Sequence, residues 1–394
     1  MRAHNTANKA THSQLRAHNR RLLLRAIYDG VADNRAALAQ ETQLAKPTVS
    51  EVIGELIDEG LLVEEGHGQS TRGGGKRPRL LRFVPTARHA IGVYVNDQYI
   101  SGALAYLDGR VVAQHYTELN GARRQDAVLL VAETINGLLA QLDAPLLCIG
   151  IGIPGVVDAA RGRVIYTPHL GWNGMPLGEW LGRTFERPVY LANSTALVAM
   201  AQFVYGLAGA VRSFATVRVG TGVGVGLVID GAIYHGGGEI GALRITSLDA
   251  GSATYHDIGP LETFLGWPYV RQRAEQLRAE HSASTLPGPD DPLTYLHLRQ
   301  AIANGDPAAL ILQDELSRHL AQIFAWIIAL LAPDHISLAG PIAEMGEPLL
   351  VATITRVRDL VQTELTTSFS VSEASSLVTV GAIAHALHLE LGLV

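Results

Sequence analysis

Residues 214–234 read FATVRVGTGVGVGLVIDGAIY, and residues 89–118 read HAIGVYVNDQYISGALAYLDGRVVAQHYTE. Each stretch is an apolar strand, a loop, a second apolar strand, an Asp-Gly turn and a third strand. In both stretches a glycine, Gly102 or Gly224, precedes the Asp-Gly pair by six residues. This repetition predicts a duplicated α/β unit. Two such units would form a two-lobed body with a cleft between the lobes that binds a small ligand.

Helical periodicity fills the chain between and after the two stretches. The pattern predicts helices at about 124–142, 176–186, 194–208, 306–331 and 347–364.

The chain in front of the first stretch has a different pattern, that of a small helical domain. Leu23, Leu24 and Ile27 share one face of a first helix, and Asn34 is a typical N-cap for a second. A third helix is predicted at Lys46–Glu59, ending at Gly60. Its expected N-cap position holds Ala45, and the preceding turn holds Gln43 where glycine is common.

A Gly-rich basic loop at residues 66–79 follows the third helix, between short strands at Leu61–Val63 and Leu80–Val84. Three helices followed by such a hairpin predict a winged helix-turn-helix, a DNA-binding module. The start of the third helix would face base edges, and the loop would lie along the DNA backbone or reach the minor groove. The residues predicted to contact DNA are Lys46, Thr48 and Ser50 of the helix and Arg72, Lys76 and Arg77 of the loop.

The distribution of charge supports this interpretation, although the 394-residue chain has a net charge of −6. Residues 1–88 hold 14 Lys and Arg against 9 Asp and Glu, whereas the remainder holds 17 against 28. A basic front on an acidic body is expected when only one module meets phosphates. We therefore predict a DNA-binding domain at 1–86 and a ligand-binding domain at 87–394.

A cytoplasmic location without membrane association is expected from the sequence. No apolar run is long enough to span a bilayer, and the polar, basic N-terminus lacks the apolar segment of a signal peptide. The single cysteine, Cys148, excludes an intramolecular disulfide.

Residues 20–394 resemble the ROK family of repressors and sugar kinases. The motifs that carry the resemblance, in order, are Gly150–Asp158 (GIGIPGVVD), Thr167–Leu177 (TPHLGWNGMPL), Leu191–Ala196 (LANSTA), Val219–Gly226 (VGTGVGVG), Gly238–Gly241 (GEIG), Leu261-Glu262, Ala339–Pro341 and Gly381–Leu387. The resemblance implies an α/β, actin-like body, related to ribonuclease H and hexokinases. Its small lobe would be about 87–192 plus the C-terminal helix, and its large lobe about 193–380.

Several kinase positions of the family are altered in this chain. The general base is an aspartate after the motif asparagine, and here that position is Ser194, a poor base at neutral pH. The first phosphate loop, Asn96–Tyr99, has no glycines, and its Asp97 would repel a phosphate. The zinc-binding histidine is replaced by Ala242, and the cysteines around His256 are missing. We expect no kinase activity, no zinc and no ATP.

Some sugar-binding positions of the family remain. Asn193, Glu239 and Glu262 match residues that bind sugar hydroxyls, and Gly155 and His169 are expected to line the same cleft. The predicted function is a sugar-responsive repressor of carbohydrate genes that binds operator DNA as a homodimer or a dimer of dimers. Two alternatives stay open: a ROK-type sugar kinase, and a DNA-binding regulator without a sugar effector.

Overall fold

The computed structural model describes residues 12–68, 77–167, 170–207, 211–229, 232–234, 236, 238–241, 243, 261–288, 291–361, 364, 366–372 and 377–393.

The N-terminal unit is a group of three helices followed by an antiparallel hairpin. Its elements are α1 (His12–Tyr28), α2 (Arg35–Thr42), α3 (Lys46–Asp58), β1 (Leu62–His67) and β2 (Arg79–Phe83). The Asn34 side chain accepts hydrogen bonds from the Ala36 and Ala37 amides at 3.1 and 3.0 Å, so the predicted cap of α2 is confirmed. Gln43 adopts the left-handed conformation between α2 and α3. The N-cap position of α3 is Ala45, which makes no side-chain capping hydrogen bond.

The first unit of the body is a five-stranded sheet. Its strands in spatial order are β5 (Val111–Glu118), β4 (Tyr99–Tyr106), β3 (His89–Val95), β6 (Leu146–Ile153) and β9 (Val189–Asn193). Helices α4 (Arg124–Leu139) and α5 (Leu177–Phe185) and the small hairpin β7 (Val156–Asp158) and β8 (Arg163–Tyr166) belong to this unit. The β3–β4 and β4–β5 pairs are antiparallel, and the β3–β6 and β6–β9 pairs are parallel.

The second unit repeats this arrangement. Its strands in spatial order are β12 (Ala232–Ile233), β11 (Val223–Ile229), β10 (Phe214–Val219), β13 (His335–Ala339) and β14 (Ser368–Ser372). Its pairs are antiparallel and parallel in the same positions as in the first unit. Its helices are α7 (Glu262–Leu265), α8 (Trp267–Glu280), α9 (Tyr295–Ala303), α10 (Pro307–Leu331) and α11 (Gly346–Leu360). The predicted duplication is therefore present in the strand order.

Two helices connect the units. Helix α6 (Ser194–Gln202), continued by a π-helical turn at Phe203–Leu207, packs on β10 and β11, and α12 (Leu377–Leu391) packs on α6, β3 and β6. Glycines make these contacts close. A Cβ on Gly150 would lie 2.0 Å from the Ala382 oxygen, and one on Gly381 would lie 1.9 Å from the Leu197 oxygen.

The N-terminal unit and the first unit share one hydrophobic core. Leu24 and Ile27 of α1 belong to the same buried cluster as Ala103 of β4 and Ile383 and Leu387 of α12. Polar contacts support this junction: Arg21 donates to the Leu389 oxygen at 2.6 Å and Arg88 to the Glu59 oxygen at 2.9 Å. The N-terminal unit is therefore fixed on the body, not tethered to it. Among the described helices, none is both long and apolar enough to cross a lipid bilayer.

Candidate functional site

A cavity of about 400 Å³ lies between the two units, and we call it the central cleft. It is bounded by the loops at the ends of β3, β6 and β10 and by the start of α6. The residues that line it include Tyr94, Asp97, Ser194, Arg218, Glu239, Glu262, Trp267, Tyr295 and Glu344. Its size is within the range of small-molecule sites.

Three of the residues predicted from the sequence to bind sugar are joined by hydrogen bonds, but of the three only Glu239 lines the central cleft, whereas Asn193 lines a second cavity with Asp158 and Tyr190. The Glu239 Oε1 atom accepts hydrogen bonds from the Gly155 amide at 3.0 Å and from Asn193 Nδ2 at 2.7 Å. Asn193 Nδ2 also donates to the Gly155 oxygen at 2.8 Å. These hydrogen bonds connect Glu239 to residues that lie 84 and 46 positions away in the sequence, and they hold its carboxylate in one orientation.

Asn193 also fixes the beginning of α6. Its Oδ1 atom accepts from the amides of Thr195 and Ala196 at 2.8 and 3.2 Å, so it is the N-cap of this helix. Gly155 is required at its position, since its φ is +110° and a Cβ there would lie 2.2 Å from the Tyr166 oxygen. The cluster therefore joins the loop after β6, the end of β9 and the segment after β12.

Glu262 lies on the second-unit side of the central cleft, at the first residue of α7. A Cβ on Gly241 would lie 2.2 Å from its Oε1 atom, and one on Gly222 would lie 2.9 Å from the same atom. Glycine at both positions gives the carboxylate room beside the Gly220–Gly224 loop. Ser194, which is 1% exposed, lines the cleft next to Asn193 at the start of α6.

The loop between β3 and β4 is closed on itself. Asn96 Oδ1 accepts hydrogen bonds from the amides of Gln98 and Tyr99 at 2.8 and 2.7 Å, and the Asn96 amide donates to the Tyr99 oxygen at 3.0 Å. Backbone amides in such a loop bind anions only when they point at open space. Here the Asn96 side chain already occupies two of them, a role that the sequence analysis missed.

Arg218 is a second residue of the central cleft that was not predicted from the sequence. Its Nη2 atom donates to the Tyr94 hydroxyl at 3.1 Å, and its guanidinium carbon lies 5.8 Å from the centre of the Tyr94 ring. Arg218 belongs to β10 and Tyr94 to β3, so this contact spans the central cleft. A lone arginine in the otherwise apolar strand FATVRV was the sequence signal for it.

Aromatic residues form the other end of the cleft. The ring centres of Trp267 and Tyr295 are 4.5 Å apart, and Tyr295 is 4% exposed. Burial, and to a smaller extent the Glu344 carboxylate, raise the pKa of the Tyr295 hydroxyl, which therefore stays protonated at neutral pH.

On the N-terminal unit, the predicted DNA-binding residues of α3 lie at its exposed start. Lys46 and Ser50 are exposed, Thr48 is half-buried, and Arg77 is exposed beside the hairpin. Other cations of this unit are engaged within it: Arg16 pairs with Glu55, Arg20 with Glu59, and both Arg35 and Arg79 with Glu64. Among the described residues, neither Lys46 nor Arg77 forms an ion pair.

Some predicted site residues lie outside the described residues: Arg72, Lys76, His169, Ala242 and His256. Within the described part of the chain, no group of three or more His, Cys, Asp and Glu residues could hold a metal ion.

Comparisons with known proteins agree with the geometry. Residues 90–388 match the ROK family, and the chain belongs to that family. It is 31% identical to the xylose repressor of Caldicellulosiruptor bescii over 261 residues, which cover 64% of this chain and 65% of the repressor. The chain thus spans just under two thirds of the length of that relative. It is 28% identical to the DNA-binding transcriptional dual regulator NagC of Escherichia coli, over 81% of this chain and 79% of NagC.

Two solved structures show the fold. A ROK family transcriptional regulator, homologous to the Escherichia coli MLC protein, superposes with a TM-score of 0.83 at 24% identity, covering 96% of this chain and 98% of that one. A ROK family glucokinase from Streptomyces griseus superposes with a TM-score of 0.65 at 21% identity, covering 76% of this chain and 99% of the glucokinase. The actin-like, hexokinase-like α/β body is therefore established.

Proposed function

We propose that this protein is a DNA-binding transcriptional regulator, a repressor of carbohydrate genes, that responds to a sugar bound in the central cleft and has no kinase activity. The observation that carries the proposal is the shared hydrophobic core. The N-terminal unit has three helices and a hairpin, as winged helix-turn-helix modules do, and its core continues into the first unit, which lines the central cleft. The relatives named above, a xylose repressor and NagC, support it.

The N-terminal unit is proposed to be a winged helix-turn-helix at residues 1–86. Helix α2, the turn at Gln43 and helix α3 form the helix-turn-helix, and the β1–β2 hairpin forms the wing. Lys46, Thr48 and Ser50 would reach base edges and phosphates in the major groove. The basic loop with Arg72, Lys76 and Arg77 would contact the DNA backbone or the minor groove.

The body, at residues 87–394, is proposed to bind sugar through Asn193, Glu239, Glu262, Gly155 and His169. Carboxylate and amide groups suit sugar hydroxyls, which both donate and accept hydrogen bonds. Because the Gly155 amide and Asn193 Nδ2 hold Glu239 Oε1, the carboxylate is oriented before a ligand arrives. Such preorganisation reduces the entropy that binding costs.

The lack of kinase activity rests on two features. At the base position, Ser194 offers a hydroxyl that cannot take the proton of a sugar hydroxyl at neutral pH without a second base. In the first loop, the Asn96 side chain occupies amides that would otherwise cradle a phosphate. We therefore expect neither ATP nor zinc as a cofactor.

A continuous set of contacts would carry the sugar signal to the DNA-binding unit. Asn193 caps α6, the backbone of α6 at Leu197 contacts Gly381 of α12, and the end of α12 accepts a hydrogen bond from Arg21 of α1. A sugar that moves Asn193 or Glu239 would shift α6 and α12 together. This couples sugar to DNA affinity provided that the sugar binds the two arrangements with different affinities.

The expected partner is a palindromic operator bound by a homodimer or a dimer of dimers. The test is fluorescence anisotropy of the full chain on DNA from upstream of its own and neighbouring genes, at two salt concentrations, with and without a panel of sugars. We expect specific binding that salt weakens and that at least one sugar alters. Lys46→Ala should weaken binding and reduce the salt slope by about one for each protomer bound to the DNA. Arg183→Ala, at an exposed position of α5 in the body, is the matched control.

Glu239→Gln separates the two halves of the proposal. The glutamine keeps an oxygen that accepts from Gly155 and Asn193 but loses the charge. We expect the affinity for DNA without sugar to be unchanged. At least a tenfold higher sugar concentration should be needed to alter DNA binding. Sequence-independent binding of the unmodified chain to all fragments, or sugar phosphorylation with ATP, would contradict the proposal.

A further inference from the structure

We infer that the effector of the central cleft is an uncharged sugar, and that the cleft excludes sugar phosphates and nucleotides. This inference rests on the proposed function and specifies the ligand class of the same site. Its basis is the charge around the cleft, the state of its two loops and the chemistry of its donors.

Among the described side chains that line the central cleft, most of the charged ones are acidic. Asp97, Glu239, Glu262 and Glu344 contribute four carboxylates, and Arg218 contributes the one guanidinium among them. A phosphate ester carries a charge of about −1.5 to −2 at neutral pH and would enter a site of its own sign. Like charges placed together in a partly dehydrated site oppose binding strongly.

The loop between β3 and β4 offers a phosphate few donors. Its amides at Gln98 and Tyr99 donate to Asn96 Oδ1, and Asp97 of the same loop lines the cleft. Exchanging the Asn96 oxygen for a phosphate oxygen would leave the carboxamide without these partners and bring the phosphate against Asp97. This loop therefore disfavours an anion on both counts.

The Gly220–Gly224 loop has kept its glycines, but a carboxylate lies on it. The Gly220 amide donates to the Gly222 oxygen at 2.9 Å, and the position of a Cβ on Gly222 is 2.9 Å from Glu262 Oε1. The space beside this loop is thus occupied by negative charge. In this chain the glycines make room for Glu262.

The same groups suit an uncharged sugar. Carboxylate oxygens accept hydrogen bonds from sugar hydroxyls, whereas phosphate oxygens have no proton to donate to them at neutral pH. Arg218 is the group that could favour an anion, but its guanidinium already donates to the Tyr94 hydroxyl and faces the Tyr94 ring. Among the described side chains of the central cleft, this one engaged cation stands against four carboxylates.

The experiment is isothermal titration calorimetry on the full chain with matched ligand pairs: glucose and glucose 6-phosphate, and N-acetylglucosamine and its 6-phosphate, with xylose as a further neutral sugar. Each ligand is also added to the protein–DNA complex in the anisotropy assay. We expect at least one neutral sugar to bind, and the phosphate esters to bind about 100-fold more weakly than it.

Asp97→Asn tests the cause of the discrimination. Removing this charge should narrow the affinity ratio between neutral sugar and phosphate ester at least threefold, mainly by improving the ester. Asp359→Asn, an exposed position at the end of α11, should leave the ratio unchanged.

The outcomes separate the inference from the proposed function. A phosphate ester that binds as tightly as the neutral sugars, or alone releases DNA, overturns the inference and leaves a sugar-responsive regulator. A ratio unaffected by Asp97→Asn overturns its electrostatic cause. If no ligand of either kind binds or changes DNA affinity, both the inference and the sugar-responsive function fail.

Discussion

The two five-stranded units have the same strand order and strand directions, yet their first hairpin loops differ. The β3–β4 loop is a tight turn held by the Asn96 side chain, whereas the β10–β11 loop keeps several glycines beside the Glu262 carboxylate. Their surroundings differ as well, because the first unit shares its core with the N-terminal helices. The difference shows that both copies of the duplicated scaffold can line the central cleft while one of them also supports the N-terminal unit.

What the units have in common is the close packing of a helix against glycines. Gly150 of β6 lies under α12, and Gly226 of β11 lies under α6, where a Cβ would be 2.4 Å from the Thr195 oxygen. If the units are equivalent in packing, substitutions at the two positions should be equally damaging.

The largest effect is therefore expected for Gly150→Val and Gly226→Val. Each places a branched side chain against a backbone oxygen that cannot move without its helix. We expect each to lower the free energy of unfolding by at least about 3 kcal/mol, measured by urea denaturation. Gly54→Ala is the control, because its Cβ meets nothing within 4 Å, and in a helix interior it should stabilise by up to about 1 kcal/mol. Tolerance of one valine alone would show that the two units are not equivalent.

A smaller effect on stability is expected for substitutions at two helix caps. One cap, Asn193, lies in the body, and the other, Asn34, lies in the N-terminal unit. Asn193→Asp keeps the cap of α6 but replaces Nδ2, which donates to Gly155 and Glu239, with an acceptor. The new carboxylate oxygen would then face two acceptors, the Gly155 oxygen and the negatively charged Glu239 Oε1. This should lower the free energy of unfolding by about 2 kcal/mol and weaken sugar binding. Asn34→Asp keeps the cap of α2 and should change stability by less than about 0.5 kcal/mol. Equal thermal shifts for both variants would show that the bonds to Glu239 contribute nothing.

The smallest effect concerns acid sensitivity, which we expect to reside in the second unit. Burial, with the nearby Arg318 as a lesser cause and Glu315 acting against them, lowers the pKa of His319 to about 4. Burial also lowers the pKa of His335, a residue of β13. In the unfolded chain a histidine has a pKa of about 6.5, so below that value the unfolded state binds a proton that the native state does not.

Stability should therefore fall as the pH drops from about 6.5 towards 4. Between pH 7 and pH 5 we expect the unmodified chain to lose roughly 1 to 2 kcal/mol more than His319→Gln does, measured by urea denaturation at each pH. His67→Gln, at an exposed position of β1, is the control. A pH profile that His319→Gln leaves unchanged would place the acid sensitivity elsewhere.

Local signals predicted most of the fold. The three strands predicted within residues 89–118 are β3, β4 and β5, and Asn34 caps α2 as its residue type indicates. Helices α8 and α9 were not predicted from the sequence. In α8 the buried Val270, Ala274 and Leu277 do follow helical spacing, but the segment is rich in charged residues that hid this stripe.

The site was less predictable, because its geometry depends on contacts between distant residues. The residue types of Asn193, Glu239 and Gly155 followed from family motifs, but a motif does not tell that Asn193 both caps α6 and holds Glu239. For Asp97, charge alone indicated repulsion of a phosphate. That Asn96 closes the same loop depends on backbone directions, which the sequence does not specify.

The common core of α1, β4 and α12 bears on how the chain can be re-engineered. Leu24 and Ile27 are buried in one cluster with Ile383 and Leu387 instead of being exposed at a linker. A helical unit taken from another ROK protein would need matching side chains at this junction, since a mismatch leaves cavities or overlaps in a packed interior. If the N-terminal unit binds DNA as proposed, its specificity is thus more readily changed at the exposed start of α3 than by transplanting the whole unit. For the same reason, the N-terminal helices and the first sheet should melt in a single cooperative transition.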